Sequence, residues 1–445
     1  MTSAAIVTDA FRAAFEERAA GGGPSWLGAL RRSAFERFAA TGLPTTRDED
    51  WKYTSLAPLA RTSFRPGAAL ERVEATLESL RPLAFGALGR HRAVFVNGRF
   101  APALSSLGSL PAGVEVMSLR ALLSQDPERA RPYLEGRAGG APPAFTALNA
   151  ALLDDGAVVF VPAGAVVSES IHLLFYSSNP GGEPLLSSVR NLVVAGSGSQ
   201  VRLVEAYGGP DGERYFTNAL TDLVAGDGAR VDHLKLQRES VAAFHVARLR
   251  VTQARASAVT DLSVALGGAL VRNDIDVVFG GEGGECVLDG LFMAAGEQHT
   301  DTHTRIDHAR PRCSSRELYK GILDGKARGV FHGRVVVRKD AQKTDAYQTN
   351  KNLLLSREAL VNSIPQLEIF ADDVKCKHGS TTGQLDAAAL FYLRSRGIGE
   401  REARSLLTYA FASDLVQRIR VEEVRAGLET YLQARLPGAA REAVA

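Results

Sequence analysis

Cysteine is scarce in this chain: Cys286, Cys313 and Cys376 are the three found in 445 residues. An odd, thinly spread set is the opposite of a secreted disulfide framework, and a reduced, cytoplasmic setting fits it best. Net charge is almost as scarce. Fifty-two basic against fifty acidic residues leave +2 at pH 7, which gives no electrostatic reason to bind nucleic acid or an anionic membrane. No stretch approaches the ~20 continuous apolar residues of a membrane span. The amino end carries Asp9, Glu16 and Glu17 and lacks the apolar core and cleavage site of a secretory signal.

Catalytic signatures are missing too. No Cys-x-x-Cys pair, Gly-x-Ser-x-Gly elbow or His-Glu-x-x-His helix occurs, which removes the commonest redox, nucleophile and zinc-protease motifs. The run Gly321-Ile322-Leu323-Asp324-Gly325-Lys326-Ala327 looks like a phosphate-binding loop. It is one residue short and has Ala where the magnesium-binding Ser or Thr belongs, so ATP hydrolysis by this chain is not expected.

What is present is length and repetition. The chain exceeds the ~250–300 residues at which one compact core stops growing, so several domains or one elongated array is expected. Residues 1–90 favour helix, with Phe11, Phe15 and Ala19 at helical spacing and Phe35 and Phe38 continuing beyond the Gly21-Gly22-Gly23-Pro24 break. Within this arm, Asp48-Glu49-Asp50-Trp51 reads as a capping turn with Trp51 packed inward.

Strand character begins at His91 and runs to residue 383, interrupted by a Pro/Gly-rich loop at 131–143. Ser199/Val201, Ala229/Val231, Ser257/Val259 and Glu285/Val287 repeat a small residue followed by Val, and the register continues through Cys313 and Ala341. The first interval is 30 residues and the next four are 28. A held period with Gly-rich turns marks stacked β coils, each too small to bury its own apolar face. A parallel β-helix is therefore expected; a β-sandwich explains the strands but not the period.

Residues 384–445 turn helical again: Ala387–Arg396, Glu400–Arg420 and Val421–Leu436, with Ala403, Leu407, Ala410, Phe411 and Leu415 near one face. These helices either cap the open end of the stack or dock a partner. The apolar, strand-like segment Leu353–Ile369 is expected to leave an exposed edge that pairs with another subunit.

Two constellations could carry chemistry. Cys376 and His378 stand two apart, so on a strand they project to one face as one soft sulfur and one imidazole. Two ligands do not make a closed metal or cluster site, so either another chain completes the set or Cys376 is a packed small hydrophobe beside a surface His. On a second strand His299, Asp301, His303, Arg305 and Asp307 would share a face. That stripe is either a ladder of paired charges or a metal site built on His299 and His303.

Long ordered blocks carry a family likeness. Arg47-Asp48-Glu49-Asp50-Trp51-Lys52-Tyr53-Thr54, Phe331-His332-Gly333, Gln348-Thr349-Asn350-Lys351-Asn352, Pro365-Gln366-Leu367-Glu368-Ile369, Asp372-Asp373-Val374-Lys375-Cys376-Lys377-His378-Gly379 and Tyr392-Leu393-Arg394-Ser395-Arg396-Gly397 resemble the SufB/SufD family, more closely its SufD branch. The likeness spans most of the chain. It implies a right-handed parallel β-helix between amino- and carboxy-terminal helical domains, and a non-catalytic scaffold for iron–sulfur cluster assembly.

By the same resemblance, the β core pairs with a SufB-like subunit, and the carboxy-terminal helices bind a SufC-like ABC-type ATPase. Tyr392, Arg396, Ala403, Leu407 and Phe411 are the residues expected at the ATPase. Cys376 and His378 match the residues at the interface where a transient cluster forms, with none held stably by the isolated chain. Homodimerisation without the SufB-like partner is an alternative assembly. The competing functions are a β-helical carbohydrate-active enzyme, which would carry clustered carboxylates on adjacent coils, and a stand-alone His/Asp metalloprotein.

Overall fold

A computed structural model describes residues 3–19, 23–66, 75–135, 143–180 and 182–435. Helices α1 (Ser3–Ala19) and α2 (Ser25–Thr41) come first, then the short α3 (Ala57–Ala60), strand β1 (Arg65–Pro66) and α4 (Leu77–Leu80). Strands β2 (His91–Val96), β3 (Arg99–Phe100) and β4 (Glu115–Ser118) lead into α5 (Leu119–Gln125), α6 (Pro127–Leu134) and α7 (Ala144–Ala151). The expected loop at 131–143 thus begins inside α6, and its residues 136–142 lie outside the described residues.

Strands then follow one another: β5 (Ala157–Val161), β6 (Ile171–Tyr176), β7 (Leu185–Ala195), β8 (Gln200–Gly208), β9 (Tyr215–Ala225), β10 (Arg230–Arg238), β11 (Phe244–Gln253) and β12 (Ala258–Ala265). They continue as β13 (Leu270–Phe279), β14 (Glu285–Ala294), β15 (His299–His308), β16 (Ser314–Leu323), β17 (Arg328–Val337), β18 (Asp345–Leu354), β19 (Leu360–Ile369) and β20 (Lys375–Gly383). Helices α8 (Ala387–Ser395), α9 (Glu400–Val416) and α10 (Glu422–Arg435) follow.

From β5 onward the odd strands form one sheet and the even strands a second, so the chain changes sheet at every turn. Neighbours within each sheet run parallel. This is the parallel β-helix that the period implies. Its true register is less regular than a 28-residue step. Val201, Val231, Val259, Cys286, Ser315, Ala346 and Cys376 stack in steps of 30, 28, 27, 29, 31 and 30 residues. Val287 is thus one place off the column, opposite Thr260, and Ala341 sits in the turn before β18. Strand pairing fixes which face each residue takes, because a one-residue slip would turn every side chain over, whereas turns between coils can gain or lose residues freely.

Small and large residues alternate inside the coil. Gly290 lies opposite Tyr319 and Phe292 opposite Gly321 on the paired strands β14 and β16, and Tyr319 and Phe292 are buried. A Cβ on Gly290 would fall 2.1 Å from the Tyr319 ring. Gly290→Ala is therefore expected to lower stability by ~1–3 kcal/mol through overpacking. The midpoint of urea unfolding measures it; an unchanged midpoint would mean that the ring has room to move.

The interior also holds charge. His233 Nδ1 lies 2.7 Å from Asp261 Oδ1, and its Nε2 3.2 Å from Glu205 Oε2. Burial alone would favour a neutral imidazole, but the hydrogen bonds and charges of Asp261 and Glu205 raise the His233 pKa and keep the ring protonated.

Both outer faces are covered by helices. Phe11, Phe35, Phe38 and Trp51 of the amino-terminal arm pack with Phe145 and Leu148 of α7 onto Phe216, Phe244 and Leu270 of the odd sheet. Leu415, Val416, Val424 and Leu428 of α9 and α10 pack onto Leu234, Leu262, Leu291 and Ile322 of the even sheet. Lys320 Nζ donates to the Phe411 carbonyl at 2.7 Å and to Asp414 at 2.6 Å, and Arg418 binds Asp289 at 2.9 Å. These contacts tie α9 lengthwise to the coil.

Candidate functional site

The helices cover the flanks and leave one end of the coil open. Strands β19 and β20 are the terminal strands of the two sheets; each is paired along one edge within the chain, β19 to β17 and β20 to β18. Parallel strands expose their free edge as a row of unpaired N–H and C=O groups, ready to receive another strand. The surroundings are apolar as well as polar: Leu360, Ile369 and Phe370 at the ends of β19 are exposed, Phe370 at 61%. The edge expected near Leu353–Ile369 covers only part of this end: Leu353 is buried within β18, the free strand of one sheet begins at Leu360, and the free strand of the other is β20, beyond the expected range.

Cys376 and His378 lie on β20 in register with Ala346 and Gln348 of β18. Ala346 and Gln348 are buried, so Cys376 and His378 continue the interior column of the coil at its last rung. With no further rung above them, Cys376 stays half-buried against the small apolar group around Val337, Ala341 and Ala346, and His378 is exposed. Burial, with the nearby Asp345 charge, raises the Cys376 thiol pKa and keeps it protonated. The thiolate, which is the metal ligand, then forms only where a cation displaces the proton.

Polar contacts run across the mouth. Ser380 donates to Ser363 of β19 at 2.7 Å, and Ser363 donates to Asn350 Oδ1 at 2.7 Å. Below His378 the column continues through Gln348, whose Nε2 donates to Glu317 Oε2 at 2.8 Å. Burial pushes the Glu317 carboxyl up to about 7. Gln348 falls inside a block of the family likeness, but nothing in the local sequence marks Glu317, and only the register brings both under His378.

The five residues expected at an ATPase partner do not share one exposed stripe. Tyr392 is 58% exposed, with Arg396 stacked 5.2 Å from its ring. Phe391 beside it is 73% exposed, and Leu407 is intermediate. Ala403 is fully buried, and Phe411 is turned onto its own chain with Lys320 4.8 Å from its ring. An amphipathic pattern reports an apolar face, and here the body of α9 spends that face on the even sheet.

His299 and His303 also separate. His299 Nε2 is engaged 2.8 Å from Thr54 Oγ1, and its pKa is lowered by burial. Asp301 accepts from Thr54 at 2.5 Å and from Arg272 at 2.6 Å. The neighbour of His303 is His332, its partner in register on β17, with Asp50 of the arm beside them. So His303 belongs with two residues that spacing along one strand does not reveal. Asp50 and His332 both fall inside blocks of the family likeness, which is the signal that could have singled them out.

Residues 176–411 match the family model described as SUF system FeS cluster assembly, SufBD core domain, and residues 8–173 match the SufBD protein N-terminal region. The chain is 34% identical over 414 residues to an iron–sulfur cluster assembly SufBD family protein of Synechocystis, covering 91% of this chain and 90% of that one. It is 32% identical over 407 residues to the iron–sulfur cluster assembly protein SufD of Escherichia coli, covering 91% and 92%. It is 25% identical over 427 residues to SufD of Bacillus subtilis, covering 93% and 94%. No helix among the described residues is long and apolar enough to cross a membrane.

Proposed function

The chain belongs to the SufBD family of iron–sulfur cluster assembly proteins, and from that premise we propose that it is the SufD-type scaffold subunit of a complex with a SufB-like subunit and a SufC-like ABC-type ATPase. The observation that carries this reading is the open end of the coil, where two half-paired strands frame an incomplete ligand pair. A second β core of the same build adds its own strands to β19 and β20 by edge pairing. Cys376 and His378 then face the junction. One thiol and one imidazole are too few to hold a cluster, and a thiolate from the partner completes the set.

The cluster is cargo rather than a resident cofactor. The half-buried Cys376 thiol becomes a ligand only when iron displaces its proton, and with one thiol and one imidazole the isolated chain does not hold a cluster stably. The ATPase surface is the exposed part of α8, with Phe391, Tyr392 and Arg396 as anchors and Leu407 at its margin, while Ala403 and Phe411 fix α9 on its own coil. The chain acts by binding, not catalysis, in the cytoplasm, and without its SufB-like partner the same edges support a homodimer.

Co-expression with SufB-like and SufC-like chains tests this. All three are expected to co-purify, and Cys376→Ala with His378→Ala is expected to leave association intact while lowering cluster yield severalfold, since a half-buried cysteine and an exposed histidine on the last rung carry little of the stability. Full cluster yield from the double variant, or no association of the wild type, would overturn the reading.

A further inference from the structure

A second cluster lies on the flank of the coil, under the amino-terminal arm. His303 of β15 and His332 of β17 face each other in register, their ring centroids 4.7 Å apart and their planes at 72°. Asp50 lies in the 3-10 turn Glu49–Trp51 directly before Lys52. One donor atom from each of Asp50, His303 and His332 lies within 4.8 Å of the other two. The three line a cleft of about 310 Å³.

The surroundings hold these groups in place. Arg272 donates to the Asp50 carbonyl at 2.8 Å and lies 4.4 Å from the Trp51 ring, which pins the turn that carries Asp50. His303 Nε2 is 3.1 Å from Asp301 Oδ1, the kind of carboxylate support that orients metal-bound imidazoles. His332 Nε2 is buried and has no hydrogen-bond partner. A buried imidazole nitrogen without a partner is costly unless something binds it. Four guanidiniums line the cleft, and each is matched by a carboxylate, Arg248 by Asp276 at 2.6 Å, Arg272 by Asp274 at 2.8 Å, Arg305 by Asp307 at 3.5 Å and Arg334 by Glu368 at 3.2 Å, which limits their repulsion of a cation.

We propose that Asp50, His303 and His332 form a binding site for one divalent first-row transition metal ion, of the Fe²⁺ and Zn²⁺ class. Two imidazoles and one carboxylate are the donor set such ions take, and three ligands leave coordination positions open. Ligands bound at ~2.1 Å lie no more than ~4.2 Å apart, so small side-chain adjustments close the site. Because Asp50 comes from the arm and both histidines from the coil, the bound ion clamps one to the other. The site is separate from Cys376 and His378 and does not depend on any partner subunit.

The test is anaerobic titration of the purified, metal-stripped full chain with Co²⁺, followed by visible absorption, and with Fe²⁺ by calorimetry. One ion per chain is expected, with affinity reduced at least ~10-fold in His303→Ala, His332→Ala and the conservative Asp50→Asn, and unchanged in Cys376→Ser with His378→Ala. Bound ion is also expected to slow protease cleavage of the arm in the wild type and not in Asp50→Asn. Absence of stoichiometric binding, or equal affinity in wild type and in His303→Ala with His332→Ala, would overturn the assignment.

Discussion

Arg272→Leu is expected to destabilise the protein by ~3–5 kcal/mol, the cost of leaving buried charge without its partner. Arg272 is only 2% exposed, and its guanidinium spans two carboxylates, Asp274 at 2.8 Å and Asp301 at 2.6 Å. Asp301 is 1% exposed. Burial would raise the Asp301 pKa, but the Arg272 guanidinium, with hydrogen bonds from His303 and Thr54, outweighs it and holds it well below the usual carboxylate range. Removing the guanidinium therefore strands a carboxylate in a site where it cannot be solvated. The same side chain carries Trp51 on its face and the Asp50 carbonyl on an N–H, so the arm loosens as well. Urea unfolding measures the first effect and limited proteolysis between α2 and α3 the second. Arg272→Lys is expected to recover only part of the loss, since an ammonium cannot bridge both carboxylates with the geometry of a planar fork. A loss below ~1 kcal/mol for Arg272→Leu would mean that Asp301 simply takes up a proton at little cost.

The β-helix was legible because a coil repeats two separate signals, a small residue followed by Val at a nearly constant interval and glycine in the turns between strands. A coil-by-coil count is not legible to the residue, as the steps from Val259 to Cys286 and from Ser315 to Ala346 differ by four residues. Strand alternation also does not say which polar face is inside. His233 and Glu205 look like ordinary outward residues, yet they form a buried ion network. The pair Cys376 and His378 was readable because its spacing is local, and its position at the mouth follows from being on the last strand. His303 with His332 needs the register of two coils, and Asp50 comes from 253 residues away in the sequence. For α9 the apolar stripe was visible, but periodicity carries no information on whether the chain's own sheet or another protein covers it.

Glu317→Gln is expected to raise stability at pH 8 by up to ~3 kcal/mol and to leave it nearly unchanged at pH 4.5. Glu317 is buried inside the coil, one rung below Gln348, and burial lifts its carboxyl to about 7 against Thr304 and Gln348, which lower it. The unfolded chain ionises the same group near ~4.3. Between these values the folded state holds a proton that the unfolded state has released. Stability is therefore fully present below about pH 4.3, falls as pH rises toward about 7, and is level above it. Glutamine keeps the shape and a carbonyl acceptor for Gln348 Nε2 but carries no charge, so it removes this slope. The difference between wild-type and variant urea midpoints across pH 5 to 8 isolates Glu317 from every other titrating group. Parallel curves would show that the carboxyl is ionised at little cost inside the coil, and that His378 at the mouth sits above a permanent negative charge rather than a neutral acid.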